Sequence, residues 1–319
     1  MHNIEEMLIF EAMSFDPFFL DSVRDLYEPA QGTSRMAELL YTLIRFTRPR
    51  SVLEAGMGYT TPFIAKGLSD NRDDWKRECT EMKAKTARYL AEIDTYPTEV
   101  PQAQSQPLGM AAAYSPKSTK LANRRTEWMF EDPSLARPSY YLTQYAPHAY
   151  CIDNLEDPTS SAPRVADKLS KLGLSEFVKI HTGDFWKLDP LTFPSESKPF
   201  DMIWIDVWLS VANALSLIEG PHWTLLNPEG GLLLIHCMLT NAGGQAIMAE
   251  FERVRRRKAV SPFEILGLIE PNKVMQNNVL IIKKTLGPPL EKVEDLFSAP
   301  GDTMLERDAR SLVRSDKDT

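Results

Sequence analysis

Short apolar runs separated by amphipathic stretches dominate the second half of this chain. The runs are His148–Asp153, Val178–Thr182, Phe200–Asp206, Gly231–Cys237, Phe263–Leu268 and Val279–Lys283, and an earlier one, "SVLEAG", begins at Ser51. Between several of them, Ala162–Leu172, Trp208–Glu219 and Gly244–Lys258 carry helical spacing. Strands that are apolar throughout belong in a sheet covered on both faces, and helices between consecutive strands make the pairing parallel. The pattern predicts an α/β chain with a doubly wound, mostly parallel seven-stranded sheet. A short polar link joins the last two runs, which leaves the final strand open to antiparallel pairing.

One interval breaks this rhythm. A strand should follow "SVLEAG" and its helix within roughly 20 residues, yet none arrives before His148. Residues 69–147 therefore read as an insertion, expected to act as a helical and loop lid. Its first part, "DDWKRECTEMKAKTARYLAEI", is helical; Thr95–Ser118 is rich in Pro, Gln, Ala and Ser and reads as loop; "TEWMFEDPSLARPSYYLTQY" gathers aromatic residues. Ahead of the sheet, residues 3–29 suggest two short helices broken at Pro17 and Pro29, an N-terminal cap over residues 1–30. Thr33 or Ser34 caps a helix to about Phe46, with Met36, Leu39, Leu40, Leu43 and Ile44 on one face, and Pro49 ends it. The sheet domain then spans 31–68 and 148–284, and 285–319 is set apart as a tail.

Charge narrows the function classes. A net charge of −8 argues against nonspecific nucleic-acid binding, which needs a basic face to neutralise phosphates. The basic cluster Arg253, Arg255, Arg256, Arg257 and Lys258 reads as the solvated end of a helix starting near Gly243. Cys79, Cys151 and Cys237 are far apart and lack metal-ligand spacing, which fits a reducing compartment, and a cytoplasmic location is the expectation. The first twenty residues carry Glu5, Glu6 and Glu11 where a signal peptide would be basic and then apolar. No apolar run is long enough to span a membrane.

The chemistry gathers at "SVLEAGMGYTTPF". A strand turning sharply into a helix needs positions that tolerate positive φ and leave room for a ligand against bare backbone, and Gly56 and Gly58 supply both. The helix N-terminus adds unpaired N–H groups, and Pro62 suits a first turn. Thr61 stands where a dinucleotide loop carries its third glycine, and no Gly-Lys-Ser/Thr follows as in a P-loop.

"SVLEAGMGYTT" resembles motif I of class I S-adenosylmethionine (SAM)-dependent methyltransferases, and is most similar to the catechol/caffeoyl-CoA O-methyltransferase-like branch. There a helix like "QGTSRMAELLYTLIRF" leads into the strand and turn. "YCID", "LSEFVKIHTGDFWKL", "PFDMIWIDV" and "LLNPEGGLLLIHCML" resemble further segments in family order, so the resemblance covers residues 31–69 and 148–284. It implies a Rossmann-like sheet and SAM as cofactor. By the resemblance, Glu54, Ala55, Gly56, Met57, Gly58 and Tyr59 hold the methionine half with backbone groups. Asp153, with Asn154 beside it, accepts from the ribose diol. Gly183 and Asp184 meet the adenine amino group, with Phe185 against the ring. Asp153 as a turn cap and Asp184 as a loop acid remain the alternative readings.

The family pattern departs at one place. The branch binds a divalent metal through an acid after strand four and an Asp-Asn pair after strand five. Asp206 keeps the first, but His236 and Cys237 stand where the pair belongs, and they are poor ligands for Mg²⁺. No metal is therefore expected. His236 is then the candidate general base, or else a hydrogen-bonded histidine at a strand end. Asp206 is read as catalytic, or as holding the SAM amino group or a substrate cation. In the insertion, Trp128, Phe130, Tyr140, Tyr141 and Tyr145 are candidates to roof the sulfonium, or simply to pack the insertion, and Tyr140 and Tyr141 are the pair assigned to catalysis.

The leading expectation is a metal-independent, SAM-dependent methyltransferase acting on a small molecule of specialised metabolism. A SAM-consuming enzyme that cyclises SAM to azetidine-2-carboxylate with release of methylthioadenosine is the alternative. A SAM-binding partner protein without catalysis is a third. The expected partner is a small-molecule substrate, with neither nucleic acid nor membrane. The N-terminal helices need a surface to cover, which a homodimer would supply.

Overall fold

The computed structural model describes residues 15–28, 33–94, 138–190, 193, 198–236, 239, 242–257, 262–270, 278–285 and 310–313. The chain divides into two units, Met1–Asn71 with Ala146–Gly287, and Arg72–Tyr145 with Pro288–Thr319. Seven strands form one sheet in the first unit: Ser51–Ala55 (β1), His148–Asp153 (β2), Val178–Thr182 (β3), Met202–Ile205 (β4), Leu232–His236 (β5), Phe263–Ile269 (β6) and Asn278–Lys284 (β7). Their spatial order is β3-β2-β1-β4-β5-β7-β6. β1, β2, β3, β4 and β5 run parallel, while β7 is antiparallel to both β5 and β6. This is the doubly wound, mostly parallel sheet that the alternating runs imply, Rossmann-like as the resemblance implies, and the last strand takes the antiparallel option.

Residues alternate across the sheet with the strand period of two. Val52, Met202, Trp204 and Leu234 pack into one core, and Leu53, Ile203, Ile205 and Leu233 into another. Pro17–Val23 (α1), Ser34–Thr47 (α2), the first turns of Thr60–Asp94 (α3), and Ala162–Lys171 (α5) cover the first face. Val211–Ile218 (α6) and Ala242–Arg257 (α7) cover the second. Helix α2 buries Met36, Ala37, Leu40 and Ile44 and stops where Arg48 turns left-handed ahead of Pro49. Gly67 lets α3 approach α2 closely, because a Cβ there would lie 2.9 Å from Ile44 Cγ2.

The helix expected from Trp208 begins instead at Val211. Ser210 caps it, its hydroxyl accepting from Asn213 N at 3.1 Å, and the cap frees Trp208 and Leu209 to form a loop after β4.

In the second unit, Met82, Tyr89 and Leu90 of α3 pack with Tyr141 of the short helix Pro138–Tyr141 (α4) and with Leu312. Leu312 comes from the stretch the sequence reading set apart as a tail; it is buried in this cluster. Trp128 and Phe130, and Thr95–Ser118 of the insertion, lie outside the described residues.

Candidate functional site

The strand order reverses between β1 and β4, so their connections leave in opposite directions and open a crevice at the carboxyl ends. A cavity of about 830 Å³ occupies that position. The glycine loop forms its floor. Gly56 has φ +91°, and a Cβ on it would sit 2.3 Å from the Asp206 carbonyl oxygen, so only glycine fits there. Gly58 N donates to Thr61 Oγ1 at 3.1 Å, and Met57 N donates to Asp153 Oδ2 at 3.0 Å. Thr61, in the place of a third glycine, thus closes the loop through its hydroxyl.

Glu54 lies beneath this loop. It is fully buried and accepts from Thr60 Oγ1 and Thr61 Oγ1 at 2.7 Å each and from Cys151 Sγ at 3.0 Å. Burial pushes its carboxyl up to about 7; the Thr60, Cys151 and Thr61 hydrogen bonds oppose that rise, and the nearby Asp206 charge adds to it. Burial and Glu54 hold the Cys151 thiol well above its ordinary value. Glu54 and Ala55 are both enclosed and outside the cavity lining, whereas Gly56, Met57, Gly58 and Tyr59 line it. Glu54 therefore braces the loop from behind.

The ends of the next strands deliver the acids. Asp153 closes β2 and lines the cavity beside Asn154. It also caps the following turn, its Oδ1 accepting from Leu155 N at 2.7 Å. With one amide on each oxygen, the carboxylate keeps acceptor capacity for a diol. Gly183 and Asp184 follow β3 and line the cavity. Asp184 caps the one-turn helix Phe185–Lys187 and meets Lys187 Nζ at 3.1 Å. Phe185 is nearly enclosed yet belongs to the cavity lining; its ring packs 4.8 Å from Trp186 and 5.0 Å from His222. Burial lowers the His222 pKa, the Phe185 backbone opposing it.

Asp206, just beyond β4, and His236, ending β5, are both in the lining, with His236 Nδ1 2.7 Å from Asp206 Oδ1. A carboxylate can only accept, so the Nδ1 proton is fixed and the basic lone pair falls to Nε2. Cys237 lies outside the described residues. Tyr140 and Tyr141 belong to the second unit. There the Tyr141 hydroxyl donates to Glu78 Oε2 at 3.0 Å, and the two rings meet edge to face at 5.2 Å.

Sequence reasoning missed several lining groups. Trp186 Nε1 donates to the Trp208 carbonyl at 3.1 Å, joining the loops after β3 and β4. Asn213, Gly243, Gly244 and Ile247 come from α6 and α7. The Gly-Gly step opening a helix right after β5 was the signal available for the latter.

No protein-family model matches the chain, and no curated protein matches it. Solved structures similar to it include the O-methyltransferase TomG from Streptomyces achromogenes, involved in tomaymycin synthesis and solved with SAM, at 15% identity over 89% of this chain and 96% of that one, TM-score 0.47. An O-methyltransferase from Bacillus cereus solved with S-adenosylhomocysteine (SAH) is 11% identical over 88% and 96%, TM-score 0.49. The SAH-bound Podospora anserina methyltransferase PaMTH1 is 12% identical over 89% and 98%, TM-score 0.46. These superpositions are too loose to bear on chemistry; the fold rests on the strand order and register above.

Proposed function

We propose that this protein is a SAM-dependent methyltransferase acting on a small molecule. One observation carries the reading: Asp153, Asp184, Asp206 and His236, from the ends of four successive strands, line one cavity over the Gly56–Gly58 loop. The lining fits the cofactor. Asp153 offers acceptors to a ribose diol, Asp184 and Phe185 offer an acceptor and an apolar wall to adenine, and the start of α3 offers amide donors to a carboxylate. When bound, SAM supplies an electrophilic methyl group on a sulfonium. The protein's part is to hold the acceptor in line, keep water away and take up the acceptor's proton.

His236 is the group for that proton. Asp206 orients its ring and stabilises the imidazolium once Nε2 is protonated. Asp206 Oδ1 is engaged with His236, and an imidazole stands beside it where a hard divalent ion would want a second oxygen ligand, which supports metal-independent turnover as our proposal.

Titration calorimetry with SAH, and chromatography of the nucleoside product after incubation with SAM and a panel of phenols and amines, test this. SAH binding, and SAH as the product without added metal and in EDTA, are expected. Methylthioadenosine from SAM alone would replace the reading with intramolecular cyclisation. SAH binding without any turnover would make the chain a SAM-binding partner protein.

A further inference from the structure

We infer that the cavity selects uncharged and positively charged acceptors and rejects those bearing carboxylate or phosphate groups. Five of its lining side chains are acids, Asp153, Glu156, Asp157, Asp184 and Asp206, and among the described lining residues none is lysine or arginine. Among the described residues of the first unit, little cancels their charge. The Lys187 partner of Asp184 has a side chain 84% exposed, so solvent screens that pair. Among the described residues the Asp206 carboxylate meets the His236 ring alone. The remaining three are met by dipoles: Asp153 by the Met57 and Leu155 amides, Glu156 by the Asn154 amide group, and Asp157 by the Thr159 amide and hydroxyl. Dipoles hold a carboxylate in place without neutralising it.

A second feature points the same way. Trp208 lines the cavity and is 89% exposed, and Trp186, bonded to its carbonyl, stands beside it. Indole faces attract cations and give nothing to anions. A concave site of one charge sign raises the local concentration of the opposite sign, and salt weakens the effect. The same field distinguishes the two nucleosides of the proposed reaction, because SAM carries one net positive charge and SAH none. The inference rests on the methyltransferase reading for the place of SAM, but its quenching test does not.

Trp208 is itself the probe. Collisional quenching by caesium, acrylamide and iodide, taken on the full chain as the difference between wild type and Trp208→Phe and normalised to N-acetyltryptophanamide, reports the potential at the mouth. Caesium should quench at least about twice as efficiently as iodide at low salt, and Glu156→Gln with Asp157→Asn should shrink that ratio. Equal quenching, or a stronger iodide effect, overturns the inference. Binding of tyramine, tyrosol and 4-hydroxyphenylacetate to SAH-saturated protein gives the chemical readout. The cation should bind at least about tenfold more tightly than the anion at low salt, with the gap closing at high salt. A cation that binds no better than the anion, absence of binding included, overturns it. If SAH fails to bind while caesium still outperforms iodide, the methyltransferase reading falls and the charge selection stands.

Discussion

Glu54→Gln tests the brace beneath the glycine loop, because it removes a charge while keeping the shape. In the folded chain burial raises the Glu54 carboxyl from its ordinary 4.5 to about 7. Below the unfolded value both states hold the proton and the residue costs nothing. Between 4.5 and about 7 the unfolded chain ionises while the folded chain keeps its proton, so stability falls as pH rises. Above 7 both are ionised and the loss levels off. The span converts at about 1.4 kcal/mol per pH unit to about 3 kcal/mol. Glutamine does not titrate. It also loses one acceptor oxygen toward Thr60, Thr61 and Cys151, a cost of about 1 kcal/mol per mismatched hydrogen bond that does not vary with pH. Urea denaturation of both proteins at pH 4.5, 6, 7 and 8 should show the variant gaining about 3 kcal/mol on wild type from the lowest pH to the highest. A stability difference that stays constant across that range would refute the reasoning, since it would mean that Glu54 keeps its ordinary titration when folded.

Other outcomes follow from the same structure. Asp206→Asn should release the His236 tautomer and lower kcat by about 10² to 10³ with little change in KM for SAM, read in steady-state kinetics. Asp153→Ala removes the acceptor at the end of β2 and the partner of the Met57 amide, so the Kd for SAH in calorimetry should rise at least about tenfold. Gly67→Ala sets a Cβ 2.9 Å from Ile44 Cγ2. It should destabilise the protein by about 1–3 kcal/mol in urea denaturation, despite the better helix propensity of alanine.

The sheet was legible because its central strands are buried on both faces: β1 is buried at all five positions, and such a run has few other places to go. The cradle was legible for a different reason, since two glycines between a strand and a helix answer a steric demand that Gly56 meets literally. What the sequence hid was partnership across long separations. Glu54 sits beside the glycines and so reads as a ligand residue. Its burial depends on Cys151, which β1–β2 register sets directly opposite it, and no local pattern announces that pairing. Trp208 was misplaced into a helix because an apolar residue at helical spacing outweighed the cap at Ser210. The α7 contribution was harder to read for a topological reason: the Gly243–Gly244 step was in view, but it reaches the cavity only once β5 lies beside β4.

The pairing of Ser51 with His148 closes almost a hundred residues of chain into one strand contact. Loop-closure entropy grows only with the logarithm of length, so replacing an ordinary crossover of about 25 residues by this one costs only about 1 kcal/mol. Enlarging the segment between β1 and β2 is thus thermodynamically cheap for the sheet, which needs the two ends of that segment and little in between. Lineages of such a protein are free to lengthen, shorten or rebuild the second unit while the register of the first stays intact, and circular permutants or insertions aimed at that segment should leave the sheet standing.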